Sequence, residues 1–375
     1  MRDQFTFLEF FSGGGMARLG LGPRWRCLFA NDFDPVKRAA YGANFGLADH
    51  RLGDVHALGL DDLPDERADL AWASSPCQDL SLAGAREGLK GERSGAFFGF
   101  WRLIEALDDA GRSPRIIVIE NVAGLLTSNG GADFAAVVTR LVARGYFASA
   151  LVLNADAFLP QSRPRLFIVG MKDAADALTR AKPAADAAAP QALLAAAEAL
   201  PENAKRRWRW IAARPERRRN LALIDILDEA APFDPAHTTR ARLAAMAPRQ
   251  RAGVDALAAQ GGRHVGAAFR RIRIEAGEKR ARIEARFDGL SGCIRTPAGG
   301  SSRQIIFEIE NGKIRSRLMS PREAARAMGL GEDYILPERT TNALKLIGDG
   351  VAPPVVAWLA ECVLEAALAG AQKAA

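Results

Sequence analysis

The sequence predicts an α/β protein, a doubly wound parallel sheet with a second, smaller domain. Three observations carry this reading. Apolar runs of strand length recur from Phe5 to Met171, stretches with helical spacing separate them, and the first run breaks into glycines before a helix. Runs that are apolar at nearly every position suit strands covered on both faces, as in a parallel sheet. In chain order the strands are FTFLEFF, WRCLFAND, ADLAWAS, RIIVIEN, ASALVLNA and RLFIVGM. The helical stretches between them are MARLGLG, DPVKRAAYGANF, SGAFFGFWRLIEALDDAG and GADFAAVVTRLVARG. A series of this kind places its chemistry at the carboxyl ends of the strands.

Past Lys172 the composition changes. Residues from Asp173 to about Leu200 are alanine-rich and read as either a helix or a connector. PENAKRRWRWIAARPERRRN, residues 201 to 220, has eight basic residues against two acidic. RHVGAAFRRIRIEAGEKRARIEAR, residues 263 to 286, has eight against three. A charge run alone reads as a solvated face; two clusters, one interleaved with Trp208 and Trp210, read as a phosphate-contacting region. From Ser320 a helix signature returns, with Ser320 as the cap, Pro321 at the first helical position and Glu323 three residues after the cap. LKLIGDGVAPPVVAWLAECVLEAALAG reads as a glycine-rich turn followed by a long apolar helix.

The chain has 375 residues, 49% of them hydrophobic, enough for a sizeable core and two domains. Its cysteines, Cys27, Cys77, Cys293 and Cys362, are far apart and form no CxxC pair. That argues against a zinc cluster or a disulfide framework and for a reducing cytoplasm. No apolar run reaches the length that spans a bilayer, and MRDQFTFLEFF does not read as a signal peptide. The formal charge of +7 is consistent with a polyanionic partner.

The run LEFF breaks into SGGGMARLGLG, a turn that lets the backbone approach a ligand with amides at a helix start facing it. Gly13 and Gly15 fit a dinucleotide fingerprint, but Arg18 stands at its third glycine. That motif fails, and no pyrophosphate is required. The second strand ends in Asn31-Asp32-Phe33, an acid placed for ribose hydroxyls beside a ring that can lie against adenine. Gly53-Asp54-Val55 offers another acid for the adenine edge. Singly, each acid reads as a cap or turn residue. As an ordered set they indicate an adenosine-bearing cofactor without phosphates, and S-adenosylmethionine fits.

Cys77 follows Pro76 after the fourth strand run. As a lone thiol it reads as a small buried residue; its position at a strand end makes it a candidate nucleophile. Glu120 lies at the end of a deeply apolar run, where burial favours a protonated acid. Gln161, Arg163 and Arg165 alternate on entry to a strand, which turns them to one side. Two guanidiniums on one face call for an anion there.

These residues resemble those of the bacterial-type DNA (cytosine-5) methyltransferases. FFSGGG resembles the family's first motif, Pro76-Cys77-Gln78 its nucleophile motif, Glu120-Asn121-Val122 its acid motif, and Gln161-x-Arg163-x-Arg165 its two-arginine motif. SRLMSPREAARAMGL resembles the helix after the recognition region, and GDGVAPPVV the closing motif. Six segments in the same order span nearly the whole chain outside about Lys172 to Arg315.

The resemblance implies a Rossmann-like, S-adenosylmethionine-dependent methyltransferase. Residues 1–172 would form the catalytic and cofactor-binding domain, 173–315 the basic target-recognition region, and 316–375 a segment returning to the first domain. Cys77 would add to carbon 6 of a cytosine flipped out of duplex DNA, making carbon 5 reactive towards the methyl group. Glu120 would hold N3 and the exocyclic amine, while Arg163 and Arg165 would favour the thiolate and orient the base. The cofactor, and its product S-adenosylhomocysteine, would meet Phe11, Gly13, Gly14, Met16, Asp32, Phe33, Asp54, Val55, Pro76, Asp349 and Val351, with no metal. DNA would meet Gln78, Ser81, Arg86, Lys90 and Arg93 in and before the loop after Cys77, together with Gln161 and Arg303.

Two positions depart from the family pattern: Glu9 stands where aspartate is common, and Asp349-Gly350 where the closing motif usually has Asn-Ser or Asn-Ala. A tRNA cytosine-5 methyltransferase is the nearest rival, opposed by the long middle segment. An inactive DNA-binding regulator is opposed by Cys77, Glu120 and both arginines, and a nicotinamide oxidoreductase by Arg18. The expected setting is a monomer in the bacterial cytoplasm, of the kind found in restriction-modification systems.

Overall fold

The computed structural model describes residues 4–75, 95–173, 178–182, 190–213, 219–275, 277–296 and 303–374. The chain divides into two compact units. One is Met1–Asn154 with Pro164–Pro215 and Val351–Ala375; the other is Ala155–Arg163 with Glu216–Gly350.

The first unit is built on a seven-stranded sheet. Its elements are β1 (Phe5–Phe10), α1 (Met16–Leu21), β2 (Trp25–Asp32), α2 (Pro35–Phe45), β3 (His50–Leu52), β4 (Leu70–Ala73), α3 (Ala96–Asp109), β5 (Ile116–Val122), α4 (Ala132–Ala143), β6 (Phe147–Asn154) and β7 (Pro164–Met171). The order across the sheet is β3-β2-β1-β4-β5-β7-β6. From β1 the chain steps outward to β2 and β3, then returns to lay β4 on the other side of β1. The strand order therefore reverses between β1 and β4, and open α/β sheets hold ligands beyond the carboxyl ends at such a point.

Pairing is parallel from β3 through to β5 but antiparallel on both sides of β7. The all-parallel sheet expected from the apolar runs is corrected at that edge, and loop length explains why. Residues 155–163 join β6 to β7 without an α-helix, whereas a parallel return needs a crossover of roughly a dozen residues or more. Ala71, Ala73, Ile117 and Ile119 share one core with Phe100 and Ile104 of α3 and Phe134 and Leu141 of α4. The alternate residues Leu70, Trp72, Ile116 and Val118 are equally buried. Both faces are covered, so these strands read as continuous rather than alternating apolar runs.

The same unit continues through β8 (Thr179–Arg180), α5 (Gln191–Glu198), α6 (Glu202–Lys205) and β9 (Trp210–Ile211). Here part of the first basic cluster serves the core; residues 214–218 of it lie outside the described residues. Trp208 is buried, edge-on to Phe134 at 5.9 Å and to Trp210 at 5.4 Å. Arg207 lies 4.3 Å over the Phe147 ring and donates to the Gly145 carbonyl at 2.8 Å. For these residues the expectation of a phosphate-contacting face is corrected: the tryptophans belong to the core, and the arginine stem covers it.

The second unit holds α7 (Ala236–Ala244), α8 (Pro248–Gln260) and an antiparallel sheet of β10 (Arg263–Glu275), β11 (Glu278–Arg286), β12 (Ile305–Glu310) and β13 (Lys313–Leu318), in the order β11-β10-β12-β13. Leu243, Met246, Val254, Ile283, Phe307 and Ile309 are part of its core. Then follow α9 (Pro321–Ala327) and α10 (Thr340–Asp349). The capping box legible in the sequence is present at α9. Ser320 Oγ accepts from Glu323 N at 3.2 Å, and the Glu323 carboxylate accepts from Ser320 N at 2.8 Å. Glu323 is fully buried and also accepts from Asp228 N and from both Arg317 Nη atoms. Burial pushes its pKa up, but Arg317 and the two backbone donors outweigh that and hold the carboxyl below the usual range.

After Gly350 the chain re-enters the first unit as α11 (Pro353–Leu359), a π turn over Ala360–Leu364, and α12 (Glu365–Ala374). Gly20 of α1 lies against α11 so closely that a β-carbon would stand 2.5 Å from Val356 Cβ and 2.6 Å from the Pro353 carbonyl. Close packing that a third fingerprint glycine supplies elsewhere is supplied two residues later, which leaves position 18 open to arginine. One correction concerns hydropathy. Thr340–Ala369 is long and apolar enough to cross a membrane by length and composition, which the sequence reading had not found. The stretch is broken between Asp349 and Pro353, and 67% of its apolar window is buried, the pattern of core helices.

Arg317→Met strands the Glu323 carboxylate in the core, and urea unfolding should show a loss of about 3–5 kcal/mol. The double replacement Arg317→Met/Glu323→Leu should recover part of it, since Ser320 N and Asp228 N lose their acceptor. Equal instability of the single and double variants contradicts this account of the pair.

Candidate active site

Backbone register brings the site together. Phe10 pairs with Asn31 of β2 and with Ala73 of β4, and Ala73 pairs with Ile119 of β5. One residue past that row stand Phe11, Asp32, Ser74 and Glu120, at the carboxyl edge of four adjacent strands.

Leaving β1, the chain turns sharply. Phe11, Gly13 and Gly15 have φ of 58, 55 and 75°, and Phe11 is one of few residues with a side chain in that region. At Gly15 a β-carbon would stand 2.5 Å from the Phe45 ring, so glycine is required there twice over. Gly13 N donates to Asp32 Oδ2 at 2.8 Å, and Asp34 N donates to Asp32 Oδ1 at 2.9 Å. The buried Asp32 carboxylate thereby ties the turn to the tip of β2. Phe33, the next residue, is 66% exposed, which is not how a core aromatic sits. Asn31 Nδ2 donates to the carbonyls of Arg51 and Gly53 at 3.0 and 2.9 Å, fixing the loop that follows β3. On that loop Asp54 caps the turn Val55–Ala57 by accepting from His56 N at 2.9 Å, and Val55 is buried. Gly14 is buried within the glycine turn, and Met16 is a core residue at the start of α1.

Beneath the turn lies a polar cluster that the sequence reading did not assemble. Glu9 of β1 is 1% exposed, and burial pushes its pKa up to about 8 against the lowering influence of Arg18. The same burial pushes the Cys27 thiol up to about 12, with Glu9 adding to the rise, and raises Tyr41 as well. Arg18 accounts for its own place here. It acts against the rise in the Glu9 pKa, and its Nη1 donates to Tyr41 Oη at 2.9 Å. Glu9, a departure from the family pattern, and Arg18, a departure from the dinucleotide fingerprint, therefore sit in one polar cluster. His50 Nε2 lies 3.2 Å from Ser12 Oγ in the turn, and burial lowers the His50 pKa.

On the other side of β4, Glu120 Oε1 lies 3.3 Å from Arg165 Nε, across the antiparallel pairing of β5 with β7. Burial alone favours a neutral acid; an adjacent guanidinium favours the ionised one. Asn121 Nδ2 donates to the Ser75 carbonyl at 3.1 Å, holding the exit from β4 two residues before Cys77 in the sequence. Pro76, Cys77, Gln78, Ser81, Arg86, Lys90 and Arg93 lie outside the described residues.

Arg163 and Arg165 do not share a face as their alternation suggested, because β7 begins only at Pro164. Arg163 belongs to the second unit, where it is buried and donates to the carbonyls of Ile294, Gly348 and Gly350 at 2.6, 2.9 and 2.6 Å. Gln161, expected at DNA, is fully buried: its amide donates to the Ala327 carbonyl at 2.9 Å and accepts from Ile294 N at 3.0 Å. Asp349 is exposed and accepts from Thr296 Oγ1, while Val351 is buried at the start of the returning segment. Arg303 donates to the Met319 carbonyl at 2.8 Å. Among the described residues no group of three or more His, Cys, Asp or Glu side chains is placed to hold a metal ion.

Residues 5–365 match the family described as C-5 cytosine-specific DNA methylase. The chain belongs to this family. It is 35% identical over 169 residues to the type II methyltransferase M.BsuFI of Bacillus subtilis, covering 44% of this chain and 39% of that one. It is 34% identical over 172 residues to M.NgoBI of Neisseria gonorrhoeae, covering 45% and 51%. The matched region thus spans about half or less of these relatives. Among solved structures, the Entamoeba histolytica methyltransferase EhMeth superposes with a TM-score of 0.65 at 14% identity, covering 97% of this chain and 99% of that one. Dnmt2 of S. pombe gives 0.60 at 17% identity, covering 96% and 99%. At such identities the likeness establishes the fold, a Rossmann-like methyltransferase sheet with an additional sheet region.

Glu9 generates a prediction. With its folded pKa raised to about 8 from 4.5, it stays protonated in the folded chain over a range where the unfolded chain ionises. It therefore costs stability progressively as pH rises between those values. Glu9→Gln should gain in Tm relative to the wild type from pH 4.5 to 8; a Tm difference independent of pH contradicts the assignment.

Proposed function

We propose that this protein is a DNA (cytosine-5) methyltransferase that uses S-adenosylmethionine and a covalent Cys77 adduct to methylate cytosine in duplex DNA. The observation that carries the reading is the strand edge: the Asp32-tied glycine turn and the Glu120–Arg165 pair flank β4, whose exit leads in sequence to Pro76-Cys77-Gln78.

The residues fit the cofactor. Asp32 accepts one N–H on each oxygen, and a carboxylate can take more, so ribose hydroxyls have acceptors. Exposed Phe33 offers its face to adenine, Asp54 and Val55 its edge, and the Phe11–Gly14 backbone the methionine end. When bound, S-adenosylmethionine supplies an electrophilic methyl group. Pro76 would lie beside it, and Asp349 and Val351 belong to the closing motif.

Carbon 5 of cytosine is a poor nucleophile. Addition of the Cys77 thiolate at carbon 6 makes it enamine-like. Glu120 would hold N3 and the exocyclic amine and deliver a proton as charge develops on the ring. Arg165, already held by Glu120, is the cation that favours the thiolate. Loss of the carbon 5 proton then expels Cys77 and leaves 5-methylcytosine. Because the base must leave the stack, the segment after Cys77, with Gln78, Ser81, Arg86, Lys90 and Arg93, is assigned to DNA. Arg163 is assigned a positioning role through the carbonyls it clamps. We assign a monomer acting in a reducing cytoplasm, the setting that widely spaced cysteines without a CxxC pair suit.

Labelled S-adenosylmethionine should mark duplex DNA and not tRNA, with bisulfite sequencing placing the label in one sequence context. Label in tRNA alone overturns the DNA reading. Cys77→Ser should abolish turnover and keep cofactor affinity; turnover near the wild-type rate removes the nucleophile assignment. Phe33→Ala should weaken cofactor binding by about tenfold, since one base–aromatic stack contributes about 1–3 kcal/mol. Its Tm should not change, and calorimetry showing wild-type affinity contradicts the stacking role.

A further inference from the structure

The turn that leaves β1 is held at more points than its backbone alone provides. Phe11, Gly13 and Gly15 have φ of 58, 55 and 75°. A residue with a side chain keeps such a conformation only where its surroundings enforce it. Ser12, between Phe11 and Gly13, is tied three times. Its N–H donates to the Asn31 carbonyl at 2.9 Å, and its carbonyl accepts from Gly15 N at 2.8 Å. Its hydroxyl lies 3.2 Å from His50 Nε2. The first two ties are backbone bonds that any residue but proline could make at position 12. The third belongs to this pair of side chains.

His50 is a costly residue to keep in its place. It begins β3, the three-residue strand at the edge of the sheet, and is 7% exposed. Its ring stands edge-on to Tyr41 of α2 at 4.7 Å. Its Nδ1 is buried with no hydrogen-bond partner among the described residues. A leucine would fill similar space without a buried polar atom left unmet, and each such atom costs stability. What the imidazole has and leucine lacks is the contact with Ser12 Oγ.

Position in the sheet gives that contact a use. β3 lies beyond β2 from β1, so the contact from His50 to the turn after β1 spans the strand between them. From Leu52 the chain runs straight into Gly53-Asp54-Val55, the loop assigned above to the adenine edge. Asn31 Nδ2 pins that loop through the carbonyls of Arg51 and Gly53. Ser12 stands in the turn assigned to the methionine end. His50 therefore ties the two ends of the cofactor site to each other, separately from Asp32, which ties the turn to the tip of β2.

We infer that His50 is a positioning residue of the cofactor site: through the Ser12 hydroxyl it holds the turn 11–15 in the shape that receives the amino-acid arm of S-adenosylmethionine. This rests on the cofactor reading above and adds to it a residue that acts through Ser12.

The test titrates the full chain calorimetrically with S-adenosylhomocysteine, which carries the amino-acid arm, and with adenosine, which lacks it. His50→Leu should bind S-adenosylhomocysteine about fivefold more weakly, the scale of one net hydrogen bond, and adenosine as the wild type does. In turnover the KM for S-adenosylmethionine should rise by the same factor while kcat at saturation holds. His50→Gln, whose amide can donate to the hydroxyl or accept from it, should restore most of the affinity. Ser12→Ala removes only the hydroxyl and should show the same loss as His50→Leu. The double variant should lose no more than either single one, because each breaks the same contact. Wild-type affinity in Ser12→Ala or in His50→Leu overturns the inference. So do losses that add in the double variant, or an equal loss for adenosine, either of which assigns His50 to packing behind the site. If the wild-type chain binds neither ligand, the cofactor reading itself fails, before any variant is compared.

Discussion

The molecule depends on the register that sets Asn31, Phe10, Ala73 and Ile119 side by side across four strands. A backbone ladder fixes it, and side chains from both faces of the sheet bury it. Because that row is the last one shared by all four strands, the next residue of each becomes an edge residue. The edge therefore collects the start of the glycine turn, Asp32, the exit from β4, and Glu120 without any of these being near one another in sequence. A slip of one residue in β5 would turn Glu120 to the opposite face of the sheet.

Around that edge, charge is placed against burial. Glu9 sits in a buried site that raises its pKa to about 8, with Arg18 of α1 acting against that rise. Asp32 above it faces the turn with both oxygens engaged. One acid supports the turn from inside and the other anchors it from the rim. At the far side of β4, Glu120 Oε1 lies 3.3 Å from Arg165 Nε and links β5 to β7. In the second unit the same logic serves architecture, where Arg317 and Glu323 are buried together and Arg163 binds carbonyls of otherwise separate segments.

Much of this was legible in the sequence, for identifiable reasons. The strands of the seven-stranded sheet, except the short β3, were readable because burial on both faces leaves continuous apolar runs, and the α9 cap because its box is local. Strand direction was not, since an apolar run carries no polarity; only the short helix-free link before β7 reveals it. Alternation misled at Arg163 because it assumed a strand where the chain was still a loop. The Trp208 cluster misled because interleaved Trp and Arg suit both a nucleic-acid face and a core edge wrapped by arginine stems. That Asp32 and Phe33 stand together at the tip of β2 was legible because they are adjacent in sequence at the end of an apolar run. The cluster of Glu9, Cys27, Tyr41 and His50 was not, because it draws on three strands and a helix and no short pattern records it.

Under the proposed function, this edge presents a thiol to a pyrimidine ring. Duplex DNA bearing 5-fluorocytosine cannot release that thiol, because carbon 5 holds fluorine where the departing proton should be. The protein, incubated with such DNA and S-adenosylmethionine, digested and examined by mass spectrometry, should carry the trapped nucleotide on Cys77. An adduct on Cys27, Cys293 or Cys362, or none, contradicts it.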